Sequence, residues 1–193
     1  MRILDLGCGD NKVEGAVGLD NIAQIGVNII HDLLHFPYPI ESNEFDTIYL
    51  RHVIEHFNID KINKIMNECY RILKKDGQLI INVPHVFSIA AFTDPTHKQY
   101  FTFGSGYFWD KKYQKSYYRD IDSCWELVNV KCNRITWLDW KHYQFKRLDK
   151  FLSSLMEKRI NRALLKLNNP SLADRIIRKY NFQFCEIQWM FNK

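Results

Sequence analysis

The feature that most constrains this chain is a glycine turn at the end of its first apolar segment. Residues 2–6 predict a short buried strand, and Gly7-Cys8-Gly9 follows at once. Residues 16–20 predict a second strand, which ends in the acid Asp20. Glycines permit positive φ and close backbone approach, turn N–H groups can hold a carboxylate, and an acid can accept ribose hydroxyls. Such a turn at the carboxyl end of a strand is typical of nucleoside binding in α/β sheets.

The spacing around this turn argues against a nicotinamide dinucleotide. That ligand requires a third glycine, which seats the pyrophosphate on a helix N-terminus. Lys12 stands at that position, and about seven residues separate Gly9 from the second strand, too few for the usual crossover helix. The sequence therefore predicts a reduced N-terminal crossover and a ligand without phosphate.

The following segments predict a parallel α/β sheet. Residues 27–30, 45–50 and 78–83 have the composition of three further strands. Between the last two, apolar residues recur at helical spacing, with Asp60 as the expected N-cap and residues 74–77 as the helix end. The predicted core positions of this helix are Ile62, Ile65, Met66, Cys69, Ile72 and Leu73. Strands that alternate with helices indicate a parallel sheet.

The second half of the chain is rich in aromatic residues. Residues 85–118 hold 11 of the 28 Phe, Trp and Tyr residues, and this segment is expected to form a lid, a stacking surface or a second core layer. Residues 125–137 and 184–191 predict strands, and residues 145–156 predict a helix. No linker or repeat divides the chain, so we expect a single domain over residues 1–193.

Composition places the chain among ordinary globular proteins. It is 46% hydrophobic and 25% charged, with neither a signal peptide nor a membrane-spanning run, so a cytoplasmic location is expected. Its five cysteines are scattered without a C-x-x-C pair, which argues against disulfides and a cysteine zinc site. The net charge of +5 comes from late basic residues that suit solvated helix faces better than a nucleic-acid interface. Attraction to an anionic small substrate stays open.

Five segments in order carry a resemblance to a known family. Class I S-adenosylmethionine (SAM)-dependent methyltransferases have similar successive motifs, which here are residues 3–9, 18–20, 31–33, 44–49 and 71–79. The resemblance covers about residues 1–85. It implies a Rossmann-like sheet of seven strands with the last antiparallel, and SAM as the cofactor. Residues 1–85 would then bind SAM, and residues 86–193 would form the acceptor side.

The resemblance also implies the cofactor contacts. Gly7 and Gly9 would line the methionine part of SAM, and Asp20 would bind the ribose. Asp32 and Leu33 would contact the adenine. Arg51 and His52, which follow the fourth predicted strand, would lie near the methionine end of SAM or near the acceptor. The complete expected set is Asp5, Gly7, Cys8, Gly9, Lys12, Asp20, Asn21, Asp32, Leu33, Arg51 and His52.

A second resemblance concerns the methyl acceptor. Residues 84–85 and 94–97 are similar to a subgroup of small bacterial methyltransferases associated with surface-polysaccharide synthesis. This implies a small hydroxyl-bearing or phosphorylated acceptor, such as a sugar or nucleotide-linked intermediate. His85, His97 and Asp94 are the candidate catalytic residues, because a histidine titrates near neutrality and suits removal of a hydroxyl proton. Packing of both histidines in loops is the alternative.

Other functions remain open from the sequence alone. An RNA or protein methyltransferase and a nucleoside-binding module without catalysis are both compatible with the motifs. His52, Glu55 and His56 fit H-x-x-E-H, so a zinc hydrolase with Glu126 as a further ligand is a remote alternative. We expect no metal, because a similar His-Val-x-Glu-His occurs in the methyltransferases that the chain resembles.

The expected partner is a small-molecule acceptor, compatible with an anionic one. Neither nucleic acid nor a membrane is expected, and a homodimer is compatible with the sequence. The missing crossover helix leaves one sheet face without its usual cover. We expect the late basic helices or a second subunit to cover that face.

Overall fold

The computed structural model describes residues 1–113, 121–134, 155, 157–164, 169–180 and 185–193. Seven strands form one sheet in the order β3-β2-β1-β4-β5-β7-β6. The strands are β1 Ile3–Leu6, β2 Val17–Asp20, β3 Val27–Ile30, β4 Phe45–Arg51, β5 Leu73–Pro84, β6 Glu126–Arg134 and β7 Cys185–Asn192. Only β7 runs antiparallel to its neighbours β5 and β6 among these strands. The expected seven-stranded sheet with an antiparallel last strand is therefore confirmed.

Helices of very different length accompany the sheet. Two 3-10 segments, Ile54–His56 and Phe103–Trp109, follow β4 and precede β6. The α-helices are α1 Ile59–Ile72, α2 Ala90–Thr93, α3 over 157–164 and α4 Pro170–Tyr180. None of the described helices is both long enough and apolar enough to span a membrane.

The first three strand connections contain no helix. Residues 7–16, 21–26 and 31–44 consist of turns and bends. The reduced crossover between β1 and β2 is confirmed, and the reduction extends to the next two connections. A cavity lies at the carboxyl ends of β1 and β4, on the side where the glycine turn lies.

Alternate residues of the strands form the core. Leu4, Leu6, Leu19, Ile48 and Leu50 are each fully buried, as expected for one face of a parallel sheet. The predicted apolar positions of the helix before β5 are all buried in the same cluster.

The predicted ends of α1 are wrong by a few residues. The helix begins at Ile59 after Asn58, so Asp60 lies in the first turn rather than at the N-cap. It ends at Ile72, because residues 73–77 already belong to β5 rather than to a helix end.

Part of the aromatic segment forms a second core layer. Phe101, Phe103 and Trp109 are almost completely buried, whereas Phe87, Phe92, Tyr100 and Tyr113 are exposed. The indole N–H of Trp109 donates to the side chain of Asn63 on α1 at 3.0 Å. At Gly106 a Cβ would lie 2.8 Å from the Trp189 ring, so glycine is required for this packing. Of the alternatives for this segment, core packing holds for its buried residues.

Two late helices lie near the β6–β7 end of the sheet. Asn161 of α3 pairs with the outer edge of β6, the last strand of the described sheet. Its side chain donates to the carbonyl of Cys132 at 2.8 Å and accepts from the amide of Cys132 at 2.6 Å. Asp174 of α4 contacts His85 at the end of β5. The predicted helix 145–156 lies outside the described residues except for position 155. Cover of the β1–β2 face by late helices or a second subunit stays a prediction.

Candidate active site

Two neighbouring cavities lie at the carboxyl ends of the central strands. The first cavity, of about 510 Å³, is lined by Gly7, Cys8, Asp10, Asn11, Arg51, His52, Asn82 and Glu186. The second cavity, of about 500 Å³, is lined by His52, His56, Pro84, Ala90, Thr93, Asp94, Pro95 and His97. His52 lines both cavities. It therefore separates the residues of the glycine turn in the first cavity from the candidate catalytic residues Asp94 and His97 in the second.

The glycine turn is shaped by contacts inside the protein. Gly7 has φ +65°, and a Cβ there would lie 2.6 Å from a methyl group of Val53. The amides of Gly7 and Cys8 donate to the carbonyl of Leu19 at 2.8 and 3.3 Å, and the amide of Gly9 donates to Asp20 at 2.9 Å. These three amides are therefore already engaged. The expectation that turn amides hold a carboxylate does not fit them.

Asp5, at the end of β1, holds the glycine turn in place by hydrogen bonds to Val13 and Arg51. Its side chain is fully buried, and its Oδ2 accepts hydrogen bonds from the amide of Val13 at 2.8 Å and from Arg51 at 2.7 Å. Arg51 also donates to the carbonyl of Asn11. Asp5 therefore positions the turn and the guanidinium that lines the first cavity.

Asp20 remains suited to hydroxyl groups. Its two carboxylate oxygens each accept one amide, from Gly9 at 2.9 Å and from Ile22 at 3.2 Å. Each carboxylate oxygen has a further lone pair, so these bonds orient the group without exhausting it. The neighbouring Asn21 is exposed.

The remaining expected cofactor residues have partners of their own. Asp32 accepts from the amide of Leu34 at 2.9 Å, and Leu33 is buried. The ammonium of Lys12 donates to Asn28 of β3 at 3.0 Å. The Lys12 side chain is therefore directed across β2 toward β3.

His52 forms a partly buried ionic network between the two cavities. Its backbone adopts φ +56°. Its Nε2 lies 2.7 Å from Glu186 of β7, and its Nδ1 lies 3.3 Å from Glu55. Burial by itself lowers the pKa of His52, but the hydrogen bond to Glu186 and the negative charges of Glu55 and Glu186 outweigh it and raise the pKa to about 9. His52 is therefore a cation at neutral pH, and both its nitrogens face carboxylates.

Glu186 completes the wall of the first cavity. Burial raises the pKa of its carboxyl, but hydrogen bonds with His52, Asn82 and Asn133 overcome this effect and lower it. The sequence prediction missed Glu186 and Asn82. Neither stands in a motif, and they become neighbours only because β7 inserts beside β5 with Asn82 opposite Gln188 and Pro84 opposite Glu186.

The geometry of His85 does not fit the expected role of a base. Its ring is fully buried, and it is absent from the described lining of either cavity. Its Nδ1 accepts the amide of Phe87 at 3.1 Å, so the proton lies on Nε2, which donates to Asp174 at 2.8 Å. The packing alternative therefore fits His85, which connects β5 to α4.

His97 and His56 have a different arrangement in the second cavity. Nδ1 of His97 lies 2.8 Å from the carbonyl of Ala91, and a carbonyl only accepts, so the proton lies on Nδ1. Nδ1 of His56 lies 2.9 Å from the hydroxyl of Thr96, which itself donates to Asp94 at 2.7 Å. Hydrogen bonds from the hydroxyl and amide of Thr96 lower the pKa of Asp94, so it accepts as a carboxylate. Both histidines therefore carry their proton on Nδ1, and Nε2 has the free lone pair.

Asp94 is thus an orienting group. It is exposed, and its Oδ1 accepts from both the hydroxyl and the amide of Thr96. Through Thr96 it fixes the ring of His56. This geometry fits a positioning residue better than the expected catalytic one.

The zinc arrangement considered from the sequence is not formed. His52 faces Glu186 and Glu55, and Glu126 pairs with Lys111 and Lys112 at 3.2 and 3.1 Å. Glu126 and the H-x-x-E-H run therefore do not come together as a single ligand set.

Comparison with known proteins identifies the fold. Residues 20–81 match the model of a family described as a methyltransferase domain. A SAM-dependent methyltransferase from Archaeoglobus fulgidus is 17% identical with a TM-score of 0.55, covering 100% of this chain and 86% of that one. A Methanosarcina mazei SAM-dependent methyltransferase is 10% identical with a TM-score of 0.54, covering 100% and 92%. No curated protein matches the chain.

A third structure agrees with these two. The SAM-dependent methyltransferase from Mesorhizobium loti is 11% identical with a TM-score of 0.53, covering 100% of this chain and 90% of that one. The expected Rossmann-like methyltransferase fold is therefore confirmed. The match of residues 20–81 to a methyltransferase domain supports the expected enzyme class, a methyltransferase, and the expected cofactor, SAM.

Proposed function

We propose that this chain transfers the methyl group of SAM to a hydroxyl of a small acceptor in the second cavity. The observation that carries the proposal is the wall that the two cavities share. His52 lines both cavities, so SAM in the first and an acceptor in the second would be adjacent at this residue. SAM, when bound, supplies an electrophilic methyl group on a sulfonium that is already a good leaving group. The protein must then align the acceptor oxygen and remove its proton.

The first cavity fits the cofactor by its donors and acceptors. Asp20 accepts the amide of Gly9, which lies in sequence between the lining residues Cys8 and Asp10, and its remaining lone pairs can accept ribose hydroxyls. Glu186 offers an anionic acceptor for an ammonium group in the same wall as Arg51. Asp32 and Leu33 at the end of β3 are the proposed adenine contacts.

His97 is the proposed base. Its Nε2 has a free lone pair because Nδ1 donates to Ala91, and the ring lines the second cavity. A base with this tautomer can accept the hydroxyl proton as the oxygen attacks the methyl carbon. His52 is unsuited to that task, because it is already protonated between Glu55 and Glu186.

A sugar is the proposed acceptor class, free or linked to a nucleotide. The second cavity is large enough for a small ligand. Phe92, next in sequence to the lining residue Thr93, and Tyr100 are exposed and stack with ring centroids 4.9 Å apart. Exposed stacked rings can hold the apolar face of a sugar while polar groups hold its hydroxyls.

Calorimetric titration with SAM and S-adenosylhomocysteine tests the cofactor site. Asp20→Asn should weaken binding at least tenfold, since it removes the charge and one acceptor while keeping an oxygen for Gly9. Glu14→Gln is the matched control, because it makes the same charge change on an exposed residue of the same loop and should bind normally. Absence of saturable binding by folded wild-type protein would contradict the proposal.

Transfer of a labelled methyl group tests the acceptor. The protein is incubated with methyl-labelled SAM and separate pools of monosaccharides, nucleotide-linked sugars, RNA and denatured proteins. Label in a sugar pool, lost in His97→Gln while SAM binding persists, supports the assignment. Label in RNA or protein instead would favour those acceptors and overturn the sugar.

A further inference from the structure

The second cavity contains a cluster that the methyl-transfer proposal does not use in full. A carboxylate oxygen of Glu55 and a ring nitrogen from each of His56 and His97 lie within 4.8 Å of one another. The rings of the two histidines meet edge to face, with centroids 4.7 Å apart. Both rings line the cavity, whereas the carboxylate lies behind them.

Glu55 is the most informative member of this cluster. Its side chain is 1% exposed, and neither oxygen has a hydrogen-bond partner in the described part of the chain. One oxygen faces the imidazolium of His52 at 3.3 Å, in ionic contact without hydrogen-bond geometry. A buried carboxylate whose other oxygen has no partner is costly, unless a cation occupies the space it faces.

The histidines are oriented as metal ligands are. Each donates its Nδ1 proton to a fixed acceptor, the carbonyl of Ala91 for His97 and the hydroxyl of Thr96 for His56. Ligating histidines characteristically donate their second nitrogen in this way, which fixes the tautomer and leaves the other lone pair for the metal.

We infer that Glu55, His56 and His97 form a binding site for a divalent transition-metal ion of the Zn²⁺ class. Two imidazoles and one carboxylate are a known catalytic zinc set, which leaves a fourth position for water or substrate. Bonds of about 2.0–2.1 Å place tetrahedral ligand atoms about 3.3 Å apart. The present separations of up to 4.8 Å therefore require the side chains to close inward on binding.

The open position of such a site would face the second cavity. An acceptor hydroxyl bound there would lose its proton more readily, because a metal lowers the pKa of a coordinated oxygen. That proton would pass to solvent, the oxygen would form the bond to the methyl carbon, and the carbon–sulfur electron pair would return to the SAM sulfur. In metal-loaded protein, coordination of the hydroxyl to the metal would replace proton removal by His97. This consequence rests on the proposed function, whereas the metal site does not.

The experiment uses Co²⁺ and Zn²⁺ without SAM or acceptor. Protein stripped with a chelator is titrated with Co²⁺ and followed by its visible absorption, and Zn²⁺ is then added in competition. We expect one ion per chain, a visible band of low-symmetry coordination, and its loss on addition of Zn²⁺.

Variants assign the ion to these ligands. Glu55→Gln and His97→Gln should abolish stoichiometric binding, and Thr96→Val should weaken it about tenfold by removing the partner of His56. His35→Ala is the matched control, since that exposed histidine lies outside the cluster. Circular dichroism establishes that each variant folds.

Two results would overturn the site: no saturable binding by folded wild-type protein, or unchanged binding in both folded ligand variants. Because SAM is absent, neither result depends on whether the chain is a sugar methyltransferase. Conversely, SAM binding by the metal-free protein tests the cofactor site alone. The two proposals can therefore fail separately.

Discussion

Replacement of Gly7 by alanine tests the geometry of the glycine turn. The backbone there has φ +65°, a conformation that costs an L-residue about 1–2 kcal/mol. The new Cβ would also lie 2.6 Å from Val53, and overpacking of this kind costs about 1–3 kcal/mol. Gly7→Ala should therefore lower the free energy of unfolding by roughly 2–5 kcal/mol.

Gly15 supplies a matched control for the backbone contribution. It has φ +74°, but a Cβ there would meet no atom within 4 Å. Gly15→Ala should therefore cost only about 1–2 kcal/mol. Urea unfolding of both variants measures the difference, provided that the slope with denaturant is unchanged.

A double variant isolates the steric contribution. Val53→Ala should relieve the clash of Gly7→Ala but leave its φ penalty, so the two changes should be less destabilising together than the sum of their separate effects. A coupling energy of about 1–3 kcal/mol is expected. Equal losses for Gly7→Ala and Gly15→Ala, with no coupling to Val53, would refute the steric argument.

Three further predictions concern buried polar groups. Because the pKa of His52 is raised to about 9, from about 6.5 when unfolded, its stabilisation is complete below about pH 6.5 and is lost as pH rises through 9. Urea unfolding across this range should show that loss in wild-type protein and a flatter profile in His52→Gln. His85→Leu should lower the free energy of unfolding by about 1–3 kcal/mol by leaving polar partners unpaired, and Asp174→Asn should cost less because it keeps an acceptor. Trp109→Phe should cost about 1–3 kcal/mol, since its buried hydrogen bond is lost; unchanged thermal and urea stability would contradict this.

Local patterns predicted the parallel part of the sheet well. The apolar runs of the strands and the buried face of α1 follow from the spacing of hydrophobic residues, and the glycine turn follows from three consecutive residues. Each of these features is determined by residues that are close together in the sequence. The ends of α1 were less predictable, because Asn58 rather than Asp60 precedes the helix. A few residues at a helix end change little free energy, so tertiary contacts decide them.

The polar site was less predictable than the fold. Glu186 contacts His52 although 134 positions of sequence separate the two residues. This contact forms only because β7 lies between β5 and β6 in the sheet. His85 and His97 looked equivalent in the sequence. They differ in the structure because one is enclosed beside α4 and the other lines a cavity.

The contact between Asn161 and β6 has a consequence for self-association. A strand at the edge of a sheet exposes amides and carbonyls that can add a strand from another molecule. The amide side chain of Asn161 has the same donor and acceptor as a peptide group, and it occupies both groups of Cys132. One side chain thus acts as a one-residue substitute for a neighbouring strand, and blocks the addition of a foreign strand at that point.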